Sequence, residues 1–363
     1  MPSSELASPK GLEPEAASET PRLPRAPAVA QLRRPEVCFF SAWDFHLPAE
    51  GGCLLIEFND NGSGLLFAAI INDLYHEMAG LGGEKSIVPP ARFAAFNARI
   101  GDLVEREAKS LPEQDPDSLY LILDDAESLQ HGKFRTELRL LRDLFRQRSW
   151  PTELAFPAEL RWNGQQLLFA GQPVGFIVNR STDFFWQSED FSALRSAYAA
   201  GRVYVAPNPF SYATRSDKRL LEWLSLPHWD EDLGILPEER QVLTAHVPET
   251  HVLRADNLDM LALRKREFVF KPLHGFAGRG LLDSAAVGPA RLRRLVKHGE
   301  GYVTQKVTPK PRMDTDGQPV WTDLRVWAYR GDILLLSGRA SRRPDRLDLA
   351  PPGGWLPTYA PYL

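Results

Sequence analysis

A mixed α/β (α+β) fold is what this sequence predicts, and three observations predict it. Strand-like and helix-like segments alternate between about residues 73 and 215, the pattern of an α/β unit. The run Leu119-Tyr-Leu-Ile-Leu-Asp124 is short, continuously apolar and ends in acid, as a buried parallel strand does. Towards each end of the chain, two strand-like runs flank turn residues, so one β-hairpin is expected early and another late.

The elements follow in order. The first 35 residues are rich in Pro, Ala, Ser and Glu without apolar periodicity, which predicts a disordered tail, and they lack the apolar stretch of a secretory signal. Val37 to Leu47 and Cys53 to Asn59, rich in β-branched and aromatic residues, flank turn chemistry at Pro48 to Gly52 and form the first hairpin. Leu65 to Met78 reads as a helix apolar on most sides, and residues from about 85 to 112 as an amphipathic one. Leu138, Leu141, Leu144 and Phe145 recur at helical spacing and mark a helix from about Lys133 to Arg148. Leu167 to Ala170 and Val174 to Asn179 are further strands. Ser216, an N-cap type ahead of Asp217, Lys218 and Leu220-Leu221, predicts a helix start. Glu267 to Pro272 is a strand before a glycine-rich turn, Arg291 to Lys297 a short helix, and Tyr302 to Val307 another strand. Leu324 to Tyr329 and Ile333 to Ala340 form the late hairpin, turned at Arg330-Gly331-Asp332.

Composition narrows the function. The 363 residues are 43% hydrophobic and 25% charged with a net charge of -4, values of a soluble globular chain for which nucleic acid is a poor default partner. No apolar run approaches the roughly 20 residues that span a bilayer, so no membrane role and a cytoplasmic location are expected. The two cysteines, Cys38 and Cys53, make no disulfide framework and read as small buried hydrophobes.

Three groups of residues carry chemistry. A tight turn at Glu50-Gly51 would oppose residues 44 and 57, and strand alternation would then put Asp44, Glu57 and Asn59 on one sheet face. Carboxylates that close repel unless a hard cation such as Mg²⁺ joins them, but the spacing alone serves a solvated sheet face equally well. Lys271 ends a strand and precedes Gly275, Gly278 and Gly280, whose bare N–H groups suit phosphate oxygens, although a plain glycine-rich turn reads the same way. The order matches neither a P-loop nor a dinucleotide fingerprint. Arg325 and Arg339 in the late hairpin are suited to two-pronged anion contacts, and Lys306 lies on the strand upstream; taken singly, each also reads as a surface charge.

Together these segments resemble the ATP-grasp superfamily from about residue 37 onward. Asp-Phe-His-Leu (44–47) and Leu-Ile-Glu-Phe-Asn (55–59) are similar to its metal-binding strand pair, which implies Mg²⁺ on Asp44, Glu57 and Asn59. Ser-Asp-Lys-Arg-Leu-Leu (216–221) resembles the helix whose lysine, here Lys218, reaches ATP phosphates. Phe-Val-Phe-Lys-Pro (268–272) with its glycines resembles the lysine strand and phosphate loop. Thr-Gln-Lys-Val (304–307) resembles the linker whose backbone reads adenine, which implies Gln305, Lys306 and Val307 at the nucleotide. Arg325 and Arg339 stand where the family keeps phosphate-binding arginines. The metal strands come first here, so the order resembles circularly permuted members such as the ligase half of glutathionylspermidine synthetase. The family's ribose-binding Glu and the Arg before its metal Asp have no match.

The resemblance implies an ATP-dependent carboxylate–amine or carboxylate–thiol ligase acting through an acylphosphate, with ATP and Mg²⁺ as cofactors and small-molecule or peptide substrates. It divides the chain into a tail (1–35), a permuted metal hairpin and helix (36–72), an α/β substrate-side unit (73–215), a nucleotide-binding part (216–300) and a sheet completing the core (301–363). Arg180 and Asp183, after a strand of the middle unit, are candidates for a substrate carboxylate and amine; a structural pair at a turn is an equal reading. A kinase or a non-catalytic binding protein on the same scaffold are the alternatives.

Overall fold

The computed structural model of the chain describes residues 26–34, 36, 41–79, 92–110, 117–273, 280–282, 284–299, 301–315, 317–344, 349, 351 and 353–358. β1 (Ala42–His46) and β2 (Leu54–Asn59) form the expected first hairpin. Helices α1 (Leu65–Ala79) and α2 (Phe93–Ala108) follow, then β3 (Leu119–Leu123), α3 (Ala126–His131) and α4 (Arg135–Gln147). β4 (Thr152–Ala155), β5 (Leu160–Trp162), β6 (Leu167–Phe169), β7 (Gln172–Asn179), α5 (Ser192–Ala199) and β8 (Tyr204–Ala206) complete a sheet in which β4-β3-β7-β8 run parallel and β6 and β5 extend β7 antiparallel.

The helices α6 (Pro209–Thr214), α7 (Arg219–Ser225), α8 (Asp230–Leu233) and α9 (Pro237–His246) lead to a small antiparallel sheet. It is built of β9 (Thr250–Val252), β10 (Phe268–Pro272) and β11 (Tyr302–Lys306) in the order β10-β11-β9, with α10 (Leu258–Leu263) and α11 (Pro289–Lys297) packed on it. Last come β12 (Arg312–Thr315), β13 (Gln318–Tyr329), β14 (Asp332–Ser341) and β15 (Gly354–Leu356). They join the first hairpin in one antiparallel sheet, β15-β14-β13-β1-β2, with β12 also on β13. The late hairpin turns at Arg330 and Gly331, both at positive φ, as a two-residue turn between twisted strands requires.

Helices α1, α2 and α4 lie between the antiparallel and the parallel sheet and bury one continuous core: Leu65, Ile100 and Phe145 from the helices, Phe176 and Val178 from β7, Trp327 and Leu334 from the late hairpin. Each such side chain contributes roughly 1.5–3 kcal/mol by leaving water. The residue 72/73 division falls inside α1, whose Leu65, Leu66, Ala68 and Ala69 belong to this shared core. Two buried carboxylates tie the layers. Glu137 of α4 accepts the N–H groups of Gly64 (2.8 Å) and Leu66 (3.0 Å), capping α1 from a different element. Gly64 has φ +93 and a Cβ there would lie 1.9 Å from the Trp355 ring, so this corner admits only glycine. Glu107 of α2 accepts from the Tyr204 and Tyr329 hydroxyls and from Arg330, joining both sheets.

Several expectations are corrected. Residues 26–34 are not a loose tail: Ala28–Gln31 form a 3-10 turn, Ala30 is buried, and Arg34 donates to the Tyr198 and Ala199 carbonyls. One helical turn is too short to leave a periodic signal. Ser216 does not cap α7. Its hydroxyl accepts the Asp60 N–H, while Asp217 accepts the N–H of Arg219 at the helix start. Cys53 is half-buried, with Sγ 3.5 Å from His246 Nδ1; Cys38 lies outside the described residues. Among the described residues no helix is long and apolar enough to cross a membrane.

Candidate active site

The centre of the antiparallel sheet holds four charges. Asp44 on β1 is in register with Arg325 on β13, which grips both its carboxylate oxygens at 2.7 Å. Arg339 on β14 opposes Asp323 on β13, donates to it at 2.8 and 2.7 Å, and reaches Asp44 at 2.9 Å. The four side chains are 10% exposed or less. Two guanidiniums and two carboxylates cancel, which is what makes their burial tolerable. Burial alone would raise Asp44; Arg325 and Arg339 outweigh it and hold the carboxyl at about 2. Arg325 spends its remaining nitrogen on the Ser63 carbonyl at 3.2 Å. The arginines expected at phosphate are therefore engaged with aspartates inside the sheet, and Asp44 reaches a metal only by sharing its oxygens with them.

Glu57 and Asn59 are placed differently. Asp44 pairs with Glu57 and Ala42 with Asn59, as a tight turn at 50–51 would give. The route is not a tight turn, however. His46 pairs with Leu54 and Phe45 with Leu55, and a bulge leaves Ile56 unpaired before the register reaches Glu57. Both side chains are half-buried, and among the described residues neither makes a hydrogen bond or an ion pair. Among the described residues no three His, Cys, Asp or Glu side chains are placed to hold a metal ion together. The donor set that suits Mg²⁺ is thus the Glu57 carboxylate with the Asn59 amide oxygen, a hard-oxygen pair that leaves room for substrate phosphates.

The bulge serves the lysines. The Ile56 carbonyl accepts Lys271 Nζ at 3.0 Å, and Gln305 Oε1 accepts the same ammonium at 2.6 Å. Gln305 Nε2 in turn donates to the Leu55 carbonyl at 3.4 Å, so the small sheet seals the free edge of β2 through these two side chains. Lys271 is 6% exposed, and its charged neighbours are Glu57, Lys218, Asp44 and Lys310. Burial is the largest influence on it and brings it down to about 8, with Glu57 opposing and Lys218 assisting. Three of the residues read from the sequence, Asp44, Glu57 and Lys218, therefore lie within electrostatic reach of a fourth, Lys271. Lys310 and His46 join them unforeseen. His46 bonds Thr308 Oγ1 at 2.8 Å and is brought down to about 4, by burial first and then by Lys310.

In the linker the Gln305 side chain orients Lys271, and the N–H groups of Lys306 and Val307 donate to the Glu249 and Glu267 carbonyls at 2.8 and 2.7 Å. Those amides are spent inside the sheet. Gly280 has φ +76 beside Pro272 and follows the glycine-rich stretch; Gly275 and Gly278 lie outside the described residues.

A second set of groups lies at the carboxyl ends of the parallel strands, where open α/β sheets bind ligands. After β7, Arg180 is buried and donates to Ser63 Oγ at 2.7 Å, the same residue whose carbonyl takes Arg325. Asp183 is a turn cap: its oxygens accept the N–H groups of Gln187 (3.0 Å) and Ser188 (2.8 Å). After β3, Asp124 was missed as a site residue although its strand ends in acid. Its carboxyl is pushed up to about 7 by burial, against the Asp125 N–H and Arg180. Unfolding lets it ionise near 4, so wild-type stability falls as pH rises from about 4 to 7. Asp124→Asn should therefore be on the order of 4 kcal/mol more stable than wild type at pH 8 and close to it at pH 4. Urea unfolding at the two pH values checks this, and a gap of the same size at both would refute it.

No family model and no curated protein matches the sequence. Among solved structures, the fold is similar to a glutathione synthetase-like effector from Globodera pallida, at TM-score 0.55 and 11% identity over 89% of this chain and 75% of that one. It is also similar to a candidate gamma-glutamylcysteine synthetase from Methylobacillus flagellatus KT, at TM-score 0.52 and 12% identity over 89% and 81% of the two chains. At such identities the likeness is one of fold.

Proposed function

We propose that this chain is an ATP-dependent ligase joining a carboxylate to an amine or thiol, built on a circularly permuted ATP-grasp module. The observation that carries the reading is Lys271 held on the Ile56 carbonyl where β2 abuts the small sheet, with Glu57 and Lys218 among its charged neighbours. The synthetase-like fold of both structural relatives supports it. On this reading 36–72 and 301–363 form one catalytic sheet, 216–300 the nucleotide-binding part and 73–215 the substrate side.

Lys271 is pre-set by Gln305 and Ile56, so it meets a phosphate without reorganising, and Lys218 adds charge beside it. Mg²⁺ on Glu57 and Asn59 would neutralise phosphate charge. In the reaction a substrate carboxylate oxygen bonds to the γ-phosphorus as the bond to ADP breaks. The amine or thiol then bonds to the acyl carbon and phosphate leaves. Holding the partners in line is the main service such a site supplies. One observation favours a second reading, a nucleotide-binding protein without turnover: the Asp44 carboxylate and both arginines are already paired with one another.

A thermal-shift titration of the full chain with ATP, ADP and GTP, with and without Mg²⁺, tests the proposal. Stabilisation by ATP that requires Mg²⁺ is expected, followed by ADP release when carboxylate and amine pairs are supplied. Stabilisation without ADP release for any pair favours the second reading, and no nucleotide effect refutes both. Affinity should also depend on pH. Phosphate binds the charged form of Lys271, whose charge is lost as pH passes about 8, so ATP affinity falls about tenfold between pH 7 and 9. Lys271→Met should bind weakly and without that slope; an equal slope in this variant would assign it to another group.

A further inference from the structure

A cavity of about 480 Å³ opens between the 26–36 segment and α6, apart from the lysine cleft. Three guanidiniums line it, and each is held differently. Arg34 is fixed by the Tyr198 and Ala199 carbonyls, 3.0 and 3.2 Å away at the end of α5. Arg215 sets Nε 3.2 Å from the buried Asp60 carboxylate, while its Nη2 is shielded from solvent and finds no hydrogen-bond acceptor. Arg33 stands exposed at the rim and makes no hydrogen bond or ion pair among the described residues.

The balancing charge is small. Glu36 is the one carboxyl in the wall, 6% exposed and bonded to Asn208 Nδ2 at 3.3 Å. Burial pushes it up to about 7 against the pull of its own N–H and of Arg34. With Asp60 counted, three cations face at most two anions. A shielded guanidinium N–H without an acceptor costs free energy that an anionic oxygen would recover. The volume exceeds what a bare inorganic ion fills, and Phe210 supplies an apolar wall, so the complement is an anion with a carbon body.

We infer that this cavity binds a small organic anion, a carboxylate or a phosphate ester, through Arg33, Arg34 and Arg215, at a site separate from the lysine cleft. The site stands on its own geometry and does not require that the chain bind nucleotide.

Calorimetric titration of the full chain with succinate and with glycerol 3-phosphate, at constant ionic strength, tests it. Arg33→Glu and Thr214→Glu each place a carboxylate in the wall at an exposed position, where the fold tolerates it. At least one anion should bind, with its dissociation constant raised tenfold or more in both variants, and the tighter of the two identifies the head group. The Mg²⁺–ATP thermal shift, read in parallel, should be the same in wild type and variants. Binding of neither anion overturns the proposal, as does binding that both variants leave undiminished, which would put the anion elsewhere. Anion binding lost in the variants, with no ATP shift in any protein, upholds this site and removes the nucleotide reading alone.

Discussion

Arg339→Met lowers the stability of the chain by about 3–5 kcal/mol, because it strips a buried carboxylate of its partner. Asp44 keeps the two-pronged grip of Arg325, but Asp323 is left with no guanidinium in hydrogen-bonding reach. Removing both charges restores a neutral interior, so Arg339→Met with Asp323→Leu should recover most of the loss. Urea unfolding of the single and double variants measures it. A cost below about 1 kcal/mol for the single variant would mean that the quartet is solvated. The double variant also separates two roles of Arg339. If it is stable yet has lost ATP binding, the arginine acts on phosphate; if both survive, it serves the sheet.

Glu57→Gln combined with Asn59→Ala removes the Mg²⁺-dependent part of ATP stabilisation and lowers turnover on the order of a thousandfold, several kcal/mol of charge stabilisation. The fold should change by about 1 kcal/mol or less, since neither side chain bonds another described residue and only the charge that Glu57 sets near the buried Lys271 is lost. That split between function and stability is the informative result. Retention of the full Mg²⁺ effect by the double variant would take the first hairpin out of the active site.

What the sequence carried and what it hid follow from the physics of each element. Alternation and turn chemistry exposed both hairpins, and the acid-terminated apolar run exposed β3. The Asp44–Glu57 pairing agreed with expectation for a reason that was absent from the sequence pattern: an offset turn and the bulge at Ile56 cancel. A bulge adds one residue without disturbing composition, so periodicity cannot reveal it. The charged quartet was hidden because Asp44 and Arg325 are 281 positions apart, and polar residues on a strand do not say which strand faces them. Gln305 resembles any alternating polar residue until Lys271 is placed opposite its end of the strand. β5, β8, β9 and β15 are three residues each, only one and a half periods of strand alternation. Asp183 was legible only as an acid near an arginine, and the two N–H groups it caps come from the fold of its own turn.

The place of β1 between β2 and β13 also sets a schedule for biosynthesis. β2 leaves the ribosome moments after β1, but β13 starts at Gln318, on the order of tens of seconds later at ~5–20 residues per second. Throughout that interval one edge of β1 has no backbone partner, although Trp43 and Phe45 flank its central aspartate. Asp44 is then a lone charge on an open strand, and charge on an edge discourages pairing with foreign chains. The residue that anchors two arginines in the finished sheet is thus also the charge that the open edge of β1 presents until those arginines are made.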